Sequence, residues 1–471
     1  MNCVSLKLLK IRWSHGFNWL LFSVLIVLSA INSSRAQTVI TNGTDLRILT
    51  NGGKFTFETN GTFVITNSIA IRTNTEIDAT GLNVVLSGGN VTRLFAVTNA
   101  MLKLTSLQIT AGKNPLGGAI YNNNGTIAAS NVVFASNNAT NARAANGANG
   151  SSGNIDGGNG GAGGAGEGGA IFSNHGSLLL TNCTFTNNLA AGGIGGTGGN
   201  GFNGVGGFGG DGGGGGIALG GAIYSTGTNT IIRCYFVNNV AYGGSAGAGG
   251  AAGTGPVSGS TGVGGQGNAG AGGAIYIPAG GILNLTNSSF VANRAYGGDS
   301  APQSLSGNGT SANGKSGGGG LGGAIDNLGI FWAENCTFWT NSCIGGAGGA
   351  TLGDPNATAG AGGTAVGGAI ANVATFVARN CTFATNNAIG GTNGVSPISN
   401  RNGATGAANG GNIARTGGTS KIYNCILQHG RGADNYGALS DGGYNISSDT
   451  SCAFTSTNSL SKTNALLAAT L

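Results

Sequence analysis

The chain has 471 residues, of which 98 are glycine and only 7% are charged. This usage departs from that of ordinary globular proteins, yet it lacks the proline content and unbroken period of collagen. Low charge beside 40% apolar residues also argues against simple disorder. The formal charge of +6 falls to +2 without residues 1–36, because 16 basic residues then face 14 acidic ones. No basic face for nucleic acid or anionic lipid remains.

Residues 1–36 have the features of a secretory signal peptide. The start is basic, an apolar run of 13 residues follows at 19–31, and small residues precede Gln37, where we expect cleavage. An uncleaved membrane anchor is the alternative, but the run is short for a bilayer that needs about 20 residues. We therefore expect a secreted or cell-surface bacterial protein, extracellular or in the outer membrane, with no transmembrane helix after cleavage.

Residues 37–116 contain short alternating apolar stretches, at 61–65, 83–86 and 100–109. Such stretches predict strands separated by turns. Because a stacked solenoid needs atypical end units to cover its open core, we expect this segment to form N-terminal capping rungs.

Between residues 117 and 430 one pattern occurs seven times. Each unit opens with Gly-Gly-Ala-Ile, or with Gly-Gly-Asn-Ile in the last unit, and a large apolar residue follows sixteen to eighteen positions later. These apolar residues are Phe134, Phe185, Phe236, Phe290, Phe338, Phe383 and Leu427. An asparagine stands three residues beyond each phenylalanine. Periods of 43 to 52 residues predict a solenoid whose units bury their apolar faces against their neighbours.

One unit, residues 168–193, holds three apolar patches of strand length. Asn182 lies between the last two, and asparagine tolerates the left-handed backbone of a tight bend. Asn335 and Asn380 are equivalent, while Arg233 replaces them in the third unit. Three strands per turn predict an all-β fold, a single-stranded parallel β-helix of about ten rungs spaced about 4.8 Å. A set of independent hairpins or a propeller is the alternative, but propeller blades need about 40 ordered residues.

Five cysteines share one phase of the repeat, two residues before the phenylalanine or leucine. They are Cys183, Cys234, Cys336, Cys381 and Cys425. The recurring phase favours a buried stack of small apolar side chains. We expect most of these thiols to be free, although stacked neighbours lie close enough to form a disulfide. No Cys-x-x-Cys or Cys/His spacing for a metal occurs.

The rest of each unit is a glycine-rich insertion, as in residues 192–216. Much of it runs in threes, such as Ile-Gly-Gly and Thr-Gly-Gly, which fits polyproline-II geometry, while the glycine content also fits flexible loops. We expect loops with some extended character that leave every rung at one corner and move more than the rungs do. Limited proteolysis is expected to cut first near Gly150, Gly204, Gly255 and Gly309.

The paired Gly-Gly-Ala-Ile and Phe-x-x-Asn tetrapeptides resemble the repeats of the polymorphic outer membrane proteins of chlamydiae, from about residue 61 to residue 427. This resemblance implies a right-handed parallel β-helix of the pectin-lyase-like type with glycine-rich loop insertions, displayed on the cell surface as an adhesin. The stretch at 442–449 is similar to a second group, the bacterial choice-of-anchor β-helix proteins. Residues 431–471 are therefore expected to form a C-terminal rung or an incomplete anchor-type tail.

The acidic residues are scattered, and no two share a phase in adjacent rungs, whereas glycoside hydrolysis needs two carboxylates about 5 to 9.5 Å apart. Asp326 and Glu334 share a rung, and we interpret them as solvated surface. His175 and His429 are interpreted as turn residues. The stretch that ends at Asp211 matches only the first half of a calcium-binding nonapeptide. The sequence predicts no catalytic, cofactor-binding or metal site.

Five aromatic residues either stand exposed on the rungs or pack against the insertions, and the sequence leaves this open. They are Tyr224, Tyr242, Tyr276, Tyr296 and Trp339. The favoured function is a structural and adhesive β-helix protein without catalytic activity, whose partner is carbohydrate or another cell-surface protein. The alternatives are a carbohydrate-active enzyme on the same fold, a polysaccharide lyase or glycoside hydrolase, and a scaffold coated by its glycine-rich loops. The oligomeric state stays open.

Overall fold

The computed structural model describes residues 37–41, 43–256, 259–303, 312–352 and 356–467. The segment interpreted as a signal peptide, residues 1–36, lies outside the described residues, and so does Gly309. Within the described ranges no helix is long and apolar enough to cross a membrane. The helices in these ranges are two 3-10 helices, Gly43–Asn51 and Ser399–Arg401.

The described strands form five sheets, numbered 1 to 5 here, in which neighbouring strands run parallel. Sheet 1 has twelve strands, namely Gln37–Ile40, Gly53–Phe57, Thr75–Asp78, Met101–Thr105, Thr126–Ser130, Ser177–Thr181, Thr228–Ile232, Ile282–Thr286, Ile330–Glu334, Thr375–Arg379, Thr419–Tyr423 and Ser440–Asp441. Sheet 2 has eleven strands, namely Gly61–Val64, Val84–Ser87, Gln108–Thr110, Val133–Ala135, Thr184–Thr186, Tyr235–Val237, Ser289–Val291, Thr337–Trp339, Thr382–Ala384, Ile426–Gln428 and Ile446–Ser447.

The other three sheets are smaller. Sheet 3 has ten strands, namely Ile69–Ile71, Phe95–Thr98, Ile120–Asn123, Ile171–Asn174, Ile223–Ser225, Ile275–Ile277, Ile325–Asn327, Ile370–Asn372, Ile413–Arg415 and Asn435–Tyr436. Sheet 4 has six, namely Asn138–Thr140, Leu189–Ala191, Val240–Tyr242, Arg294–Tyr296, Ser342–Ile344 and Asn387–Ile389. Sheet 5 has six, namely Gly166–Glu167, Ala218–Leu219, Gly270–Ala271, Gly320–Leu321, Ala365–Val366 and Ala408–Asn409.

One turn of the chain passes through the sheets in a fixed order. After Gly168 it runs through Ile171–Asn174 of sheet 3, Ser177–Thr181 of sheet 1, Thr184–Thr186 of sheet 2 and Leu189–Ala191 of sheet 4. It then leaves as a glycine-rich insertion and returns through sheet 5. The protein is therefore a right-handed parallel β-helix, as predicted. Its repeated turns carry five strands, whereas the sequence predicted three. The two additional strands, at the base of the insertion, were not predicted because they are short and rich in alanine and glycine and show no apolar alternation.

Single residues in the left-handed backbone region make the corners between the sheets. Asn182 and Arg233 each have φ 52° and turn the chain from sheet 1 to sheet 2. Asn335 and Asn380 make the same corner in later turns, at φ 53° and 52°. His175, with φ 51°, turns the chain from sheet 3 to sheet 1. Arginine and histidine therefore adopt the bend conformation that asparagine favours, because the strands on either side fix it.

The opening Gly-Gly-Ala-Ile of each unit has a steric cause. Gly168 has φ 62°, which L side chains rarely adopt, and a Cβ there would lie 2.1 Å from the carbonyl oxygen of Ile171. A Cβ at Gly169 would lie 1.9 Å from the carbonyl oxygen of Gly221 in the next turn. Ala170 and Ile171 are fully buried. The tetrapeptide therefore marks the point where the chain re-enters the barrel against the next turn.

The two ends of the barrel are closed by different devices. At the N-terminal end, the helix Gly43–Asn51 contributes Leu46 and Leu49 to the hydrophobic core. The turns up to residue 116 carry no glycine-rich insertion. At the C-terminal end, residues 431–467 supply the last strands of sheets 1, 2 and 3, and Cys452 is buried with the core.

The glycine-rich insertions are more regular than the loops with some extended character that the sequence led us to expect. Each is a hairpin of two extended segments, one running outward from sheet 4 and one returning to sheet 5, and successive hairpins stack. We call this stack the slab; its described residues lie within 141–166, 192–217, 243–269, 297–319, 345–364 and 390–407. Backbone hydrogen bonds join the segments at every third residue: Gly195 donates to Ser245 at 3.0 Å and Gly198 to Ala248 at 2.9 Å. Regular pairing of this kind distinguishes an ordered layer from a flexible loop.

Candidate interaction surface

The extended segments of the slab repeat every three residues, and we call each set of three a triplet. In the triplet Ile194, Gly195 and Gly196, each residue faces a different neighbour. The Gly195 N–H donates to the carbonyl of Ser245 in the next turn, at 3.0 Å. The Gly196 N–H donates to Gly161, in the returning segment of the preceding turn, at 2.8 Å. The Ile194 side chain faces outward and is 45% exposed. Two positions of each triplet therefore face other segments, and the third faces solvent.

Close packing explains why the two positions that face other segments, Gly195 and Gly196 in this triplet, are glycine. A Cβ at Gly195 would lie 2.1 Å from the carbonyl oxygen of Gly213, and one at Gly196 would lie 1.9 Å from that of Ala145. Such distances are well inside van der Waals contact. The outward position carries no such restriction, so the period of three in the sequence is a packing pattern.

Side chains at the outward position complete the hydrogen bonding of the slab. Asn149 Oδ1 accepts the backbone N–H of Asn200 in the next turn at 2.9 Å. Asp211 Oδ1 accepts the backbone N–H of Val263 at 2.7 Å. Asp211, the residue of the partial calcium-binding match, is thus engaged with a backbone amide. Asparagine and aspartate recur in the insertions because they satisfy outward-facing amides.

The hairpin tips expose large apolar side chains along the outer edge of the slab. They are Ile155, Val205, Leu352, Val395 and Ile398, with exposed fractions from 40% to 58%. Phe208, beside the second tip, is 53% exposed. Neighbouring tips are held together, since Thr351 N–H donates to the carbonyl of Val395 at 2.9 Å. Exposed apolar side chains gathered along one edge are typical of an interaction surface.

The sequence did not single out the tip residues. Each is an isolated apolar residue in a glycine-rich stretch and belongs to no strand or helix period. Only the stacking of the hairpins brings them to one edge. The signal in the sequence is the three-residue glycine period, because the point where this period is interrupted marks each tip.

The structure places the six ladder phenylalanines inside the barrel in register. Phe134, Phe185, Phe236, Phe290, Phe338 and Phe383 are fully buried. Rings of successive turns stack with centroids 4.5 to 5.0 Å apart. Leu427 continues the row and is also fully buried. The row forms one continuous side of the hydrophobic core.

The five cysteines of the repeat lie in a parallel row beside the phenylalanines. Cys183, Cys234, Cys336, Cys381 and Cys425 are at most 1% exposed, and their thiols are free. The thiol of Cys336 donates to the carbonyl of Glu334 at 3.1 Å, and Cys425 makes the equivalent bond to Tyr423 at 3.2 Å. Outside the row, Cys343 and Cys452 are also buried and free.

The asparagine of Phe-x-x-Asn has a role that its spacing did not reveal. Asn188 Nδ2 donates to the carbonyl of Phe134 in the preceding turn at 3.0 Å and to Oδ1 of Asn239 in the next turn at 2.9 Å. Its own Oδ1 accepts the backbone N–H of Asn137 at 3.1 Å. The same bonds continue along a buried row of Asn137, Asn188, Asn239, Asn293, Asn341, Asn386 and Asn412. This asparagine ladder joins the turns at the corner between sheets 2 and 4.

Asp326 is buried, with 3% exposure, which corrects its interpretation as solvated surface. It points out of sheet 3, beside Tyr276 on one side and Ala371 on the other. Further along this row, Ala371 packs against Val366 of sheet 5. Sheet 5 therefore covers the outward face of sheet 3, which the sequence could not indicate because sheet 5 was not predicted. Burial raises the pKa of Asp326 to about 7. Glu334 is exposed, as interpreted.

Of the aromatic residues that the sequence left either exposed on the rungs or packed against the insertions, some are covered and others are exposed. Tyr224 stacks between Phe172 and Tyr276 with centroids 4.7 and 5.5 Å away, in the row that sheet 5 covers. Burial raises the pKa of Tyr276 and of Tyr224. Tyr242 is instead 42% exposed and lies 5.5 Å from Tyr296 in the next turn.

The positions of Trp339 and His429, and of one acidic residue in the C-terminal segment, are also structural. Trp339 is half-buried in sheet 2. His429 has φ 51° and stands at a bend, as interpreted. Asp441 accepts five hydrogen bonds in the C-terminal segment, including those from the backbone amides of Thr455 and Ser456 at 3.0 and 2.7 Å. Within the described ranges, no group of three or more metal-binding side chains is assembled.

No family model matches the chain, and no curated protein matches it. Among solved structures it is similar to the catalytic domain of a GH87 α-1,3-glucanase in complex with tetrasaccharides, with 11% identity over 88% of this chain and 70% of that one and a TM-score of 0.24. It is also similar to the tailspike protein of the E. coli bacteriophage HK620, with 10% identity over 88% of this chain and 73% of that one and a TM-score of 0.19. Likeness at this level says nothing of activity or ligand.

Proposed function

We propose that the protein is an extracellular structural and adhesive β-helix that binds carbohydrate or protein on a neighbouring surface through the hairpin tips of the slab. One observation carries the proposal: apolar side chains such as Phe208, 53% exposed, line the outer edge of an otherwise hydrogen-bonded layer. An exposed apolar edge costs solubility, and it is retained where a partner covers it. The secretory features of residues 1–36 and the resemblance to polymorphic outer membrane proteins support the same location and role.

A rigid support favours adhesion at the tips. Backbone hydrogen bonds hold described tip residues in place before binding, as the Phe202 N–H donates to the carbonyl of Ile155 at 2.8 Å and the Thr351 N–H to that of Val395 at 2.9 Å. Little conformational entropy is therefore lost at these residues on contact. The outward asparagines and aspartates flank the apolar edge with polar groups. Apolar anchors surrounded by polar groups are the usual composition of a binding surface.

Binding of the full-length secreted chain to fixed bacterial and animal cells tests this proposal. We expect Ile155→Ser, Val205→Ser and Phe208→Ser together to lower the bound fraction by at least about tenfold, which corresponds to about 1.4 kcal/mol. Ile194→Ser with Ile217→Ser is the matched control, because these residues are slab side chains away from the tips. Treating the cells with periodate or with protease distinguishes carbohydrate from protein as the partner. Equal binding by the tip variant and the control would contradict the proposal.

A carbohydrate-active enzyme is the second candidate, and Asp326 is the observation that favours it. A buried carboxyl whose pKa is raised to about 7 has the property that a general acid needs. Its 3% exposure beneath sheet 5, however, separates it from a substrate. Release of reducing ends from a panel of polysaccharides, compared between the wild type and Asp326→Asn, tests this candidate. Activity that is lost in this variant would favour the enzyme over the adhesin.

A further inference from the structure

The first hairpin of the slab differs from the later ones at one position of the outgoing triplet, the position that Gly196 occupies in the second hairpin. In later turns a glycine there faces the carbonyl of the preceding turn: a Cβ at Gly247 would lie 1.9 Å from the oxygen of Gly196, and one at Gly391 would lie 2.0 Å from that of Gly346. The first hairpin instead has three alanines at this position, Ala142, Ala145 and Ala148, all exposed. Their methyl groups therefore point away from the slab, toward the side where a preceding turn would stack.

Unsatisfied backbone groups of opposite kind line the two edges of the slab. On the N-terminal edge, six carbonyls accept no hydrogen bond from the described residues, namely those of Arg143, Asn146, Asn149, Asp156, Asn159 and Ala162. Inside the slab the equivalent carbonyl of Ile194 accepts one from Ala144, at 2.9 Å. On the C-terminal edge, the N–H groups of Gly390, Asn393 and Thr405 donate to no described residue.

The two edges match each other in spacing and in chain direction. Groups three residues apart along an extended segment of this kind lie about 9 Å apart on both edges. If a second copy is rotated by half a turn about the stacking axis, its returning segment lies parallel to the outgoing segment of the first. Its barrel then projects to the opposite side. Because the positions where slab segments meet are mostly glycine, a well-matched partner is itself rich in Gly-Gly-X segments, and this chain supplies them.

We propose that the two slab edges form a latent head-to-tail interface between copies of this chain, which the methyl groups of Ala142, Ala145 and Ala148 keep closed. In the stacked arrangement, the methyl group at each of these positions would lie about 2 Å from a carbonyl oxygen of the incoming copy, as a Cβ at Gly247 or Gly391 would from the preceding turn. This distance is well inside van der Waals contact. An open edge of unpaired backbone groups is a template for association, and side chains placed on it are a way of preventing that.

One interior turn shows what a methyl group does at this position. Ala301 occupies it, and its N–H donates to Gly265 at 3.3 Å, whereas Gly247, the equivalent residue of the preceding turn, donates to Gly213 at 2.9 Å. A covalently linked turn thus accommodates one methyl with a lengthened hydrogen bond. An interface between separate molecules faces three methyl groups in succession and has no chain connection to hold it.

Sedimentation velocity over a range of protein concentrations tests the proposal. We expect the wild type to remain a monomer and the triple variant Ala142→Gly, Ala145→Gly, Ala148→Gly to shift toward dimers and longer chains as the concentration rises. The matched control replaces three alanines on the outward faces, Ala248→Gly, Ala347→Gly and Ala350→Gly. It adds the same backbone entropy to the unfolded state without opening an edge.

A second pair of variants identifies the edge that is used. Asn393→Pro, added to the triple variant, removes one backbone donor of the C-terminal edge and is expected to reverse the association; the one described internal bond that it breaks, from the Asn393 side chain to the carbonyl of Gly394 at 3.2 Å, is also lost in the alanine control. Asn393→Ala keeps the N–H and is expected to leave the association intact. A folded triple variant that stays monomeric, association that Asn393→Pro does not reduce, or a wild type that assembles through these edges would each overturn the proposal.

Discussion

Asn412 donates an amide hydrogen to Asp434 Oδ1 at 2.8 Å, and this bond ends the asparagine ladder on a carboxylate. One turn earlier, Asn386 donates to Asn412 Oδ1, also at 2.8 Å. Each amide in the ladder is both donor and acceptor, so the bonds polarise one another along the barrel. A charged acceptor at the end strengthens the last bond.

Breaking this ladder in the middle is expected to destabilise the barrel strongly. Asn239→Ala leaves the buried carbonyl of Phe185 and the amide of Asn188 without their partners. Each buried group left unsatisfied costs about 1 to 3 kcal/mol. We expect a loss of about 2 to 5 kcal/mol in the free energy of unfolding, measured by urea denaturation. The exposed bend residue Asn238, replaced by glycine, is the control, and an equal loss in both would contradict the assignment.

The phenylalanine row is expected to contribute comparably. Phe236 is fully buried and stacks on Phe185 at 4.8 Å and on Phe290 at 4.5 Å. Phe236→Ala is expected to cost about 3 to 5 kcal/mol, because it leaves a cavity that the stacked rings cannot fill. Its neighbour Tyr235 is 56% exposed, so Tyr235→Ala should change the same denaturation midpoint little. Similar losses from the two variants would contradict the inward assignment of Phe236.

The barrel was predictable because its pattern is local. The inward residue Phe185, the bend residue Asn182 and the entry glycine Gly168 stand at fixed positions of one unit, so one unit describes them all. The slab was not predictable in the same way. Its order arises from contacts between residues about 50 positions apart, such as Gly195 and Ser245, and within one unit the glycines look like a flexible chain.

Neither the tip surface nor the burial of Asp326 could be predicted from the sequence, and the reason is the same for both. Both follow from where the insertions go, and sheet 5, which covers Asp326, is the return path of the insertion. From the sequence alone, acidic residues could therefore be compared only by their phase along the barrel rungs. The outward faces of those rungs looked solvated because nothing in the local pattern indicated what covers them.

The packing of the slab makes one pair of neighbouring glycines differ sharply. A Cβ at Gly213 would lie 1.9 Å from the carbonyl oxygen of Gly161, whereas the nearest atom to a Cβ at Gly214 is the carbonyl oxygen of Gln266, at 3.4 Å. We expect Gly213→Ala to destabilise the protein by about 1 to 3 kcal/mol through overpacking. Gly214→Ala is the matched control and should be neutral or slightly stabilising. Thermal unfolding and proteolysis of the slab should rank the variants in this order; equal tolerance would show that the slab is loosely packed.

The buried carboxyl of Asp326 is expected to make the stability depend on pH. Its folded pKa of about 7 lies above the ordinary value of 3.8, so folding favours the protonated form. Its neutral form is fully compatible with folding at low pH, and stability falls as the pH rises from about 4 to about 7, by at most about 1.4 kcal/mol per pH unit. Asp326→Asn should flatten this part of the profile and raise stability at pH 8. Asp156→Asn, on the exposed slab, is the control, and an unchanged profile in Asp326→Asn would contradict the burial of the carboxyl.

The C-terminal segment is expected to detach in acid, with the opposite sign. Burial alone would raise the pKa of Asp441, but hydrogen bonds from the amides of Ser456 and Gly443 lower it below its ordinary value. A lowered folded pKa means that the carboxylate stabilises the fold above the unfolded pKa of about 3.9 and that this contribution is lost as the pH falls through the folded value. Hydrogen exchange should therefore show residues 442–460 opening below pH 4 while the barrel stays protected.

A neutral-pH variant separates the loss of this carboxylate from general acid unfolding. Asp441→Asn replaces one accepting oxygen by an NH2 group, so some of the five hydrogen bonds to this side chain are lost without protonation. Cys452, 1% exposed in the same segment, then becomes the reporter: we expect maleimide to label it rapidly in the variant at pH 7 and slowly in the wild type. Cys343, fully buried beside sheet 5, is the internal control, because opening of the C-terminal segment leaves it covered. Labelling of both thiols at the same rate would mean that Asp441 supports the whole barrel rather than its end.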